Sequence, residues 1–174
     1  MNYNFIREVY KGESILKNNF VVILILLSIV FSLTACNRNI PSTDLTSIKI
    51  DDIEVGEPLS DIELGKYTES DRFIEKENTY NFEEIKIETD DDGIIIQIKA
   101  NIHDTRVLID DREVVNSIGE ITSVLGENYK NGWYNREQSL KENKYIDSEN
   151  KLEASFVYDD NGRNLVWIIL NKFK

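Results

Sequence analysis

Apolar and polar residues alternate on both sides of Asp92-Gly93, and this pattern leaves the backbone few alternatives. Ile85 and Ile87 precede the dipeptide, and every second residue in the range Ile94–Ile102 is apolar. Side chains with a period of two lie on opposite faces of a strand, and Asp-Gly suits the positive φ angles of a tight hairpin turn. The segment therefore predicts an antiparallel β-hairpin with one face in the core and with Gly93 at positive φ.

A second hairpin is predicted near the C-terminus. Apolar residues alternate in the range Leu152–Tyr158, and Asn161-Gly162 then supplies a turn, with Gly162 expected at positive φ. The strand that follows is apolar on both faces, with the residues Leu165, Val166, Trp167, Ile168, Ile169 and Leu170. Such a strand is typically covered on each side. We therefore expect it to be central in its sheet and Trp167 to be buried.

Each hairpin is preceded by the pattern of a short helix. The two patterns are Gly56-Glu57, Leu59, Ile62, Gly65 and Gly119-Glu120, Ile121, Val124, Leu125, Gly126. Glycine is favoured just after the last turn of a helix, so each pattern ends where a helix would end. The predicted fold class is α+β, with two tandem units, each a short helix followed by an antiparallel β-hairpin, packed as one domain over residues 47–174. The repeated order predicts a duplication, with halves at about 47–104 and 105–174.

This arrangement resembles the tandem units of the beta-lactamase-inhibitor-protein-like lipoproteins. The resemblance rests on the Gly-Glu starts at Gly56-Glu57 and Gly119-Glu120, on the glycines Gly65 and Gly126, and on the two hairpins. That family uses its modules to bind other proteins. The resemblance therefore implies a binding role for this chain.

The first 36 residues have the order of a secretory signal. Basic residues precede the apolar run Phe20–Phe31, and small residues follow it. The tetrapeptide Leu33-Thr34-Ala35-Cys36 resembles the lipobox of bacterial lipoproteins. The resemblance implies that Leu33, Thr34 and Ala35 are recognised by the signal peptidase, that the signal peptide 1–35 is removed, and that Cys36 carries the lipid.

The expected location is the cell membrane, outside the cytoplasm, with the domain held by the lipid on Cys36. Residues 36–46 are polar, contain Pro41 and show no apolar period, so they are interpreted as a lipidated N-terminus and tether. An uncleaved transmembrane anchor is the alternative. A membrane span takes about 20 apolar residues, and residues 20–36 reach the lower end of the range only if two serines and a threonine are included.

Charge narrows the classes of partner. The chain has 20 Lys and Arg against 32 Asp and Glu, for a net charge of −12. Removing residues 1–35 takes away three basic and two acidic side chains, which leaves 17 against 30, a net charge of −13. So acidic a body repels the phosphates of DNA and RNA, and no nucleic-acid partner is expected. Cys36 is the only cysteine, so no disulfide is expected.

Candidate catalytic groups are few, and no cofactor or metal is expected. His103 is the only histidine, and zinc sites require several His or Cys ligands. The acidic clusters Asp90-Asp91-Asp92 and Asp159-Asp160-Asn161 lack the alternating spacing of an EF-hand loop and suit hairpin turns. Two carboxylates would suffice for a glycosidase, but no spacing singles out a pair.

Aromatic residues in a polar stretch are the candidate partner contacts. Trp133 and Tyr134 are predicted to be exposed, and Trp and Tyr are enriched at interface hot spots. The leading hypothesis is a membrane-anchored binding module for a protein or an envelope component. A cell-wall or glycan hydrolase with paired carboxylates is the alternative from another class, and an inhibitor of a secreted toxin or enzyme is a special case of binding.

Overall fold

The computed structural model describes residues 41–70, 77–114 and 117–173, and β-strands dominate these ranges. In chain order they are β1 (Ile48–Ile50), β2 (Thr79–Asn81), β3 (Ile85–Thr89), β4 (Ile95–Asn101), β5 (Val107–Ile109), β6 (Arg112–Glu113), β7 (Lys130–Asn135), β8 (Leu140–Asp147), β9 (Leu152–Asp159) and β10 (Leu165–Lys172). The single α-helix of the described ranges, α1 (Ile118–Leu125), lies between β6 and β7.

The strands form two antiparallel sheets. The larger has the order β2-β3-β4-β10-β9-β8-β7, and the smaller has the order β1-β5-β6. The last strand of the chain is therefore the middle strand of the large sheet, where Ile168 pairs with Ala100 on one side and with Phe156 on the other. The predicted central position of this strand is confirmed.

One face of the large sheet, here called the inner face, packs into the main core. The smaller sheet and α1 contribute to the same buried cluster, whose members include Ile48, Ile50, Ile85, Ile87, Ile98, Val107, Ile109, Ile118, Ile121, Phe156 and Ile168. The other face of the large sheet, here called the outer face, carries mainly polar side chains. Its polar character follows from the alternation within the strands.

The predicted α+β fold of two tandem helix-and-hairpin units is wrong, because the fold is β-rich, with two sheets and one helix in the described ranges, and the first helix does not form. Residues 59–66 form two 3-10 turns, Leu59–Asp61 and Leu64–Lys66. The chain before them is bound to β4 in a turn: Gly56 N–H donates to the Ile95 carbonyl at 2.8 Å, and Ile95 N–H donates to the Glu57 carbonyl at 2.9 Å. A helix this short has too few hydrogen bonds to offset its nucleation cost.

The second predicted helix is present as α1 and ends at Gly126, as expected. Ser117 caps it, since the Ser117 hydroxyl accepts a hydrogen bond from Glu120 N–H at 3.3 Å. Tyr145 ties the helix end to β8 because its hydroxyl donates to the Gly126 carbonyl at 2.9 Å. Burial raises the pKa of Tyr145 to about 12, which keeps this donor protonated. No helix of the described ranges combines the length and the apolar character that a membrane crossing needs.

Both predicted hairpins are confirmed, as β3–β4 and β9–β10, whereas other strand pairs, among them the hairpin β7–β8, were not predicted. Strand β8 hides its period because two of its four buried positions, Leu140, Asn143, Tyr145 and Asp147, are polar. The Asp147 carboxylate accepts hydrogen bonds from Leu45 N–H at 3.1 Å and from the Asn150 side chain at 2.9 Å. Burial favours the neutral acid, but these and further hydrogen bonds outweigh it and lower the pKa of Asp147.

Two local predictions for the second hairpin are wrong. Gly93 has a φ of 77° as expected, whereas in the second turn Arg163 takes the positive φ, at 58°, and Gly162 does not. Trp167 is only partly buried. A register shift between Leu165 and Trp167 turns Leu165, Ile168 and Leu170 towards the core and leaves Trp167 on the outer face.

Candidate binding surface

Strand β7 forms one edge of the large sheet and carries both predicted contact residues. Trp133 is 43% exposed and Tyr134 is 38% exposed. Lys130 and Arg136, at the two ends of the strand, are exposed as well. Gly132 lies between them, with no atom within 4 Å of the place that a side chain would occupy. We refer to Lys130, Gly132, Trp133, Tyr134 and Arg136 as the β7 surface.

Trp133 lies on the inner-face side of β7 with two cations beside its ring. It pairs with Lys141 of β8, whose Nζ is 5.0 Å from the ring centroid, and the Arg136 guanidinium carbon is 5.9 Å away. Lys141 also forms an ion pair with Asp160 at 2.8 Å. The cations hold the indole in place by cation–π attraction and leave much of it open to solvent.

Tyr134 leaves β7 on the outer face and contacts Lys99 of β4. The Lys99 Nζ donates to the Tyr134 hydroxyl at 3.1 Å and lies 4.7 Å from the centroid of the Trp167 ring. In a flat sheet, β7 and β4 would be about 19 Å apart, because three strands lie between them at about 4.8 Å per step. The sheet must therefore curl towards its outer face, which is concave here.

The concave face has a small apolar centre of its own. Val157, the partner of Trp167 in β9, is fully buried although it does not belong to the main core cluster. Two neighbouring lysines of this face pair with carboxylates, Lys86 with Glu88 at 2.6 Å and Lys144 with Glu153 at 3.0 Å. Within the described ranges, Lys99 forms no such ion pair and has the two aromatic side chains instead.

A polar network fixes β7 on the rest of the sheet. The Asn131 amide donates to the Asn143 side-chain oxygen and to the Tyr158 hydroxyl, both at 2.8 Å. Asn143 and Tyr158 are buried and Asn131 is exposed, so these hydrogen bonds are partly shielded from water. Such bonds contribute about 1 kcal/mol each and also fix the register of the strand. The β7 surface is therefore presented by a firmly held edge.

A separate polar pocket of about 340 Å³ lies between the turn after β1 and the start of β5. Its lining residues are Asp51, Asp52, Lys66, Tyr67, Glu84, Asp104 and Arg106. Asp52 forms an ion pair with Arg106 at 2.7 Å, Asp51 accepts from the Tyr67 hydroxyl at 3.1 Å, and Glu84 accepts from the Thr68 hydroxyl at 2.8 Å. Hydrogen bonding by Thr68 lowers the pKa of Glu84, so this carboxyl is ionised at neutral pH. Burial and the Asp51 carboxylate raise the pKa of Tyr67.

Side chains of the two acidic clusters accept hydrogen bonds from backbone N–H groups of their own turns. Asp90 accepts from the backbone N–H groups of Asp92 at 3.1 Å and Ile94 at 2.9 Å, and Asp159 accepts from Asn164 N–H at 3.0 Å. His103 is exposed in the turn after β4. In the part of the chain that the structure describes, no group of three or more His, Cys, Asp or Glu side chains is arranged to hold a metal ion.

The predicted anchor residues, Leu33, Thr34, Ala35 and Cys36, lie outside the described ranges. Lys99, which contacts both Tyr134 and Trp167, was missed because it comes from β4, and no local pattern connects this strand with β7. Lys99 lies near Trp167 through the pairing of β4 with β10, and only the curl of the sheet brings Tyr134 to them.

No protein-family model matches the chain, and comparisons with curated proteins and with solved structures gave no match.

Proposed function

We propose that the chain is a lipoprotein, anchored outside the cytoplasm by the lipid on Cys36, that binds a protein or envelope partner through the β7 surface. The observation that carries the binding proposal is the exposure of Trp133 and Tyr134 at successive positions of one sheet edge, on opposite faces of the sheet. Large aromatic side chains with a polar group gain most from burial in an interface. The anchor is supported by the order of the signal and by Leu33-Thr34-Ala35-Cys36.

The anchor is tested by metabolic labelling with a palmitate analogue. The wild-type chain should be labelled, and Cys36→Ala should not be, because the chain has no other thiol. Two acyl chains hold a protein stably on a bilayer, so the variant should also leave the membrane fraction or remain as the uncleaved precursor. Label on Cys36→Ala would contradict the anchor.

The binding surface is tested by photo-crosslinking in intact cells. A photoreactive phenylalanine analogue at Trp133 or Tyr134 should form an adduct of one defined mass. The control is the same analogue at Tyr80, which is 37% exposed on β2, at the opposite edge of the sheet. The proposal fails if Tyr80 yields the adduct and the two β7 positions do not.

A glycan hydrolase is the second candidate, and the polar pocket is its only structural support among the described residues. A hydrolase of this type needs one carboxyl with a raised pKa as general acid. Glu84 has a lowered pKa, and Asp51 and Asp52 are engaged by Tyr67 and Arg106. The pocket therefore supports hydrolysis less well than the β7 surface supports binding. If the chain hydrolyses purified cell wall and Glu84→Gln abolishes this activity, hydrolysis would become the better supported function.

A further inference from the structure

Strand β7 leaves a long backbone edge open. It pairs with β8 on one side, and no described residue pairs with it on the other. An edge strand presents a row of N–H and C=O groups to solvent, and natural sheets keep such edges short or covered. The opposite edge follows this rule, because β2 has three residues, whereas β7 has six.

The same side of β8 is closed beyond the end of β7. Thr43 N–H donates to the Ile146 carbonyl, and Ser148 N–H donates to the Ser42 hydroxyl, both at 2.9 Å. The start of the described chain thus covers the last part of β8. The open edge is limited to the β7 strand itself.

We infer that β7 accepts an extended, acidic segment of a partner protein as an eighth strand of the large sheet. This inference rests on the proposed binding function and specifies its partner. Strand addition gains affinity from backbone hydrogen bonds and specificity from the flanking side chains. The added strand would lie beside Gly132, with Trp133 on one face of the sheet and Tyr134 on the other.

The local charge of β7 indicates the sign of the charge on the partner segment. Residues 130–136 contain two cations, Lys130 and Arg136, and no carboxylate, in a chain of net charge −12. Opposite charges across adjacent strands stabilise pairing, and like charges oppose it. Acidic side chains on the incoming strand therefore match this edge, although the molecule as a whole repels them.

A second copy of the chain fits the edge less well. Antiparallel pairing of two β7 strands about Trp133 would place Lys130 of one copy opposite Arg136 of the other. Two bodies of net charge −12 would also repel each other. A different protein whose acidic side chains are confined to one extended segment avoids the first cost and reduces the second.

The test measures the binding of defined peptides to the full chain in detergent. The chain carries Trp167→Phe, so that Trp133 is the only tryptophan and its fluorescence reports binding. The probe is the acetylated and amidated peptide Thr-Glu-Val-Glu-Val-Glu-Thr. Two control peptides are used. One has Lys in place of every Glu, and in the other alternate backbone nitrogens are methylated. The Glu peptide should change the Trp133 emission saturably and bind at least tenfold more tightly than either control.

Two variants separate local from general charge. Lys130→Glu with Arg136→Glu should reverse the preference between the Glu and Lys peptides. Arg112→Glu, an exposed position on β6 of the small sheet, should leave it unchanged.

Three results would overturn the inference. They are equal binding of the methylated peptide, a preference of the parent chain for the Lys peptide, and no binding of any peptide. A dimer in light scattering that Lys130→Glu strengthens, by placing opposite charges across the paired strands, would overturn it in favour of self-pairing. A β7 crosslink in cells together with any of these results would leave the proposed function standing.

Discussion

At the scale of single residues, polar side chains carry structural roles that a hydropathy pattern assigns to apolar ones. Asp147 is 1% exposed, yet it receives hydrogen bonds from Leu45, Glu149 and Asn150. It therefore joins the start of the described chain to the turn between β8 and β9. A buried carboxylate is stable only with such partners.

We expect Asp147→Asn to destabilise the protein by about 1–3 kcal/mol at neutral pH, because the amide nitrogen faces donors that had an acceptor. The folded-state pKa of Asp147 lies below the usual unfolded value of about 3.9. The contribution of the carboxylate is thus present above that pH and is lost as the pH falls through the folded-state pKa. Urea unfolding from pH 7 to pH 2 should show the difference shrinking below about pH 4. Asp61→Asn, an exposed position, is the matched control, and a difference independent of pH would contradict the role.

The turn between β9 and β10 stores strain at Arg163, which has a φ of 58°. This region costs residues with a side chain about 1–2 kcal/mol, and glycine adopts it freely. Arg163→Gly should therefore raise the free energy of unfolding, by up to about 1 kcal/mol. Gly162→Ala should lower it, because a methyl group there would lie 2.6 Å from the Asn164 amide and 3.1 Å from the Asp159 carboxylate. Equal effects of the two changes on urea unfolding would show that the turn is wrongly described.

At the scale of elements, the sequence predicts the longer strands whose buried faces are apolar, but not the three-residue strand β5, where the buried Val107 and Ile109 are too few to show a period. The hairpins β3–β4 and β9–β10 follow from their alternation and turn residues, and α1 follows from its apolar face and Gly126. Strand β8 cannot be predicted in this way because Asn143 and Asp147 occupy buried positions. The absent first helix has a tertiary cause, the hydrogen bonds of residues 56–59 to the β3–β4 hairpin.

The candidate surface was predictable only in part. Trp133 and Tyr134 stand out as aromatics in a polar stretch, and their exposure follows from that pattern. Their position on an open edge depends on β7 and β8, which the pattern hides. The contact of Tyr134 with Lys99, which also lies over the Trp167 ring, depends on the curl of the whole sheet.

The register shift in β10 reverses the expected effects of two neighbouring truncations. Ile168 is fully buried in the core, whereas Trp167 lies on the outer face against Lys99. Ile168→Ala should cost about 2–5 kcal/mol, as a core truncation does. Trp167→Ala should cost less, although its side chain is larger. Urea unfolding measures the free energy of unfolding of both variants. A larger loss of stability for Trp167→Ala than for Ile168→Ala would mean that the strand is in the other register.

At the scale of the whole molecule, the large sheet joins the first and second halves of the described chain through β10. Strand β10 is the last to be synthesised, yet it lies between β4 and β9. Its pairs with β4 include Leu170 with Ile98, and those with β9 include Ile168 with Phe156. The large sheet therefore cannot be completed before the C-terminal residues are present. Such long-range pairing forms slowly because the intervening loop must close first.

Truncation tests this dependence. A chain that stops at Arg163 lacks β10, so β4 and β9 would become open edges above an uncovered core, and we expect it to be unfolded or aggregated. A chain that stops at Lys172 keeps the strand and loses only Phe173, which is 40% exposed, and Lys174. It should retain a cooperative thermal transition in circular dichroism and resist limited proteolysis. Cooperative unfolding of the shorter chain would show that the first nine strands form a stable fold without β10, which the burial of Ile168 and Leu170 in the core argues against.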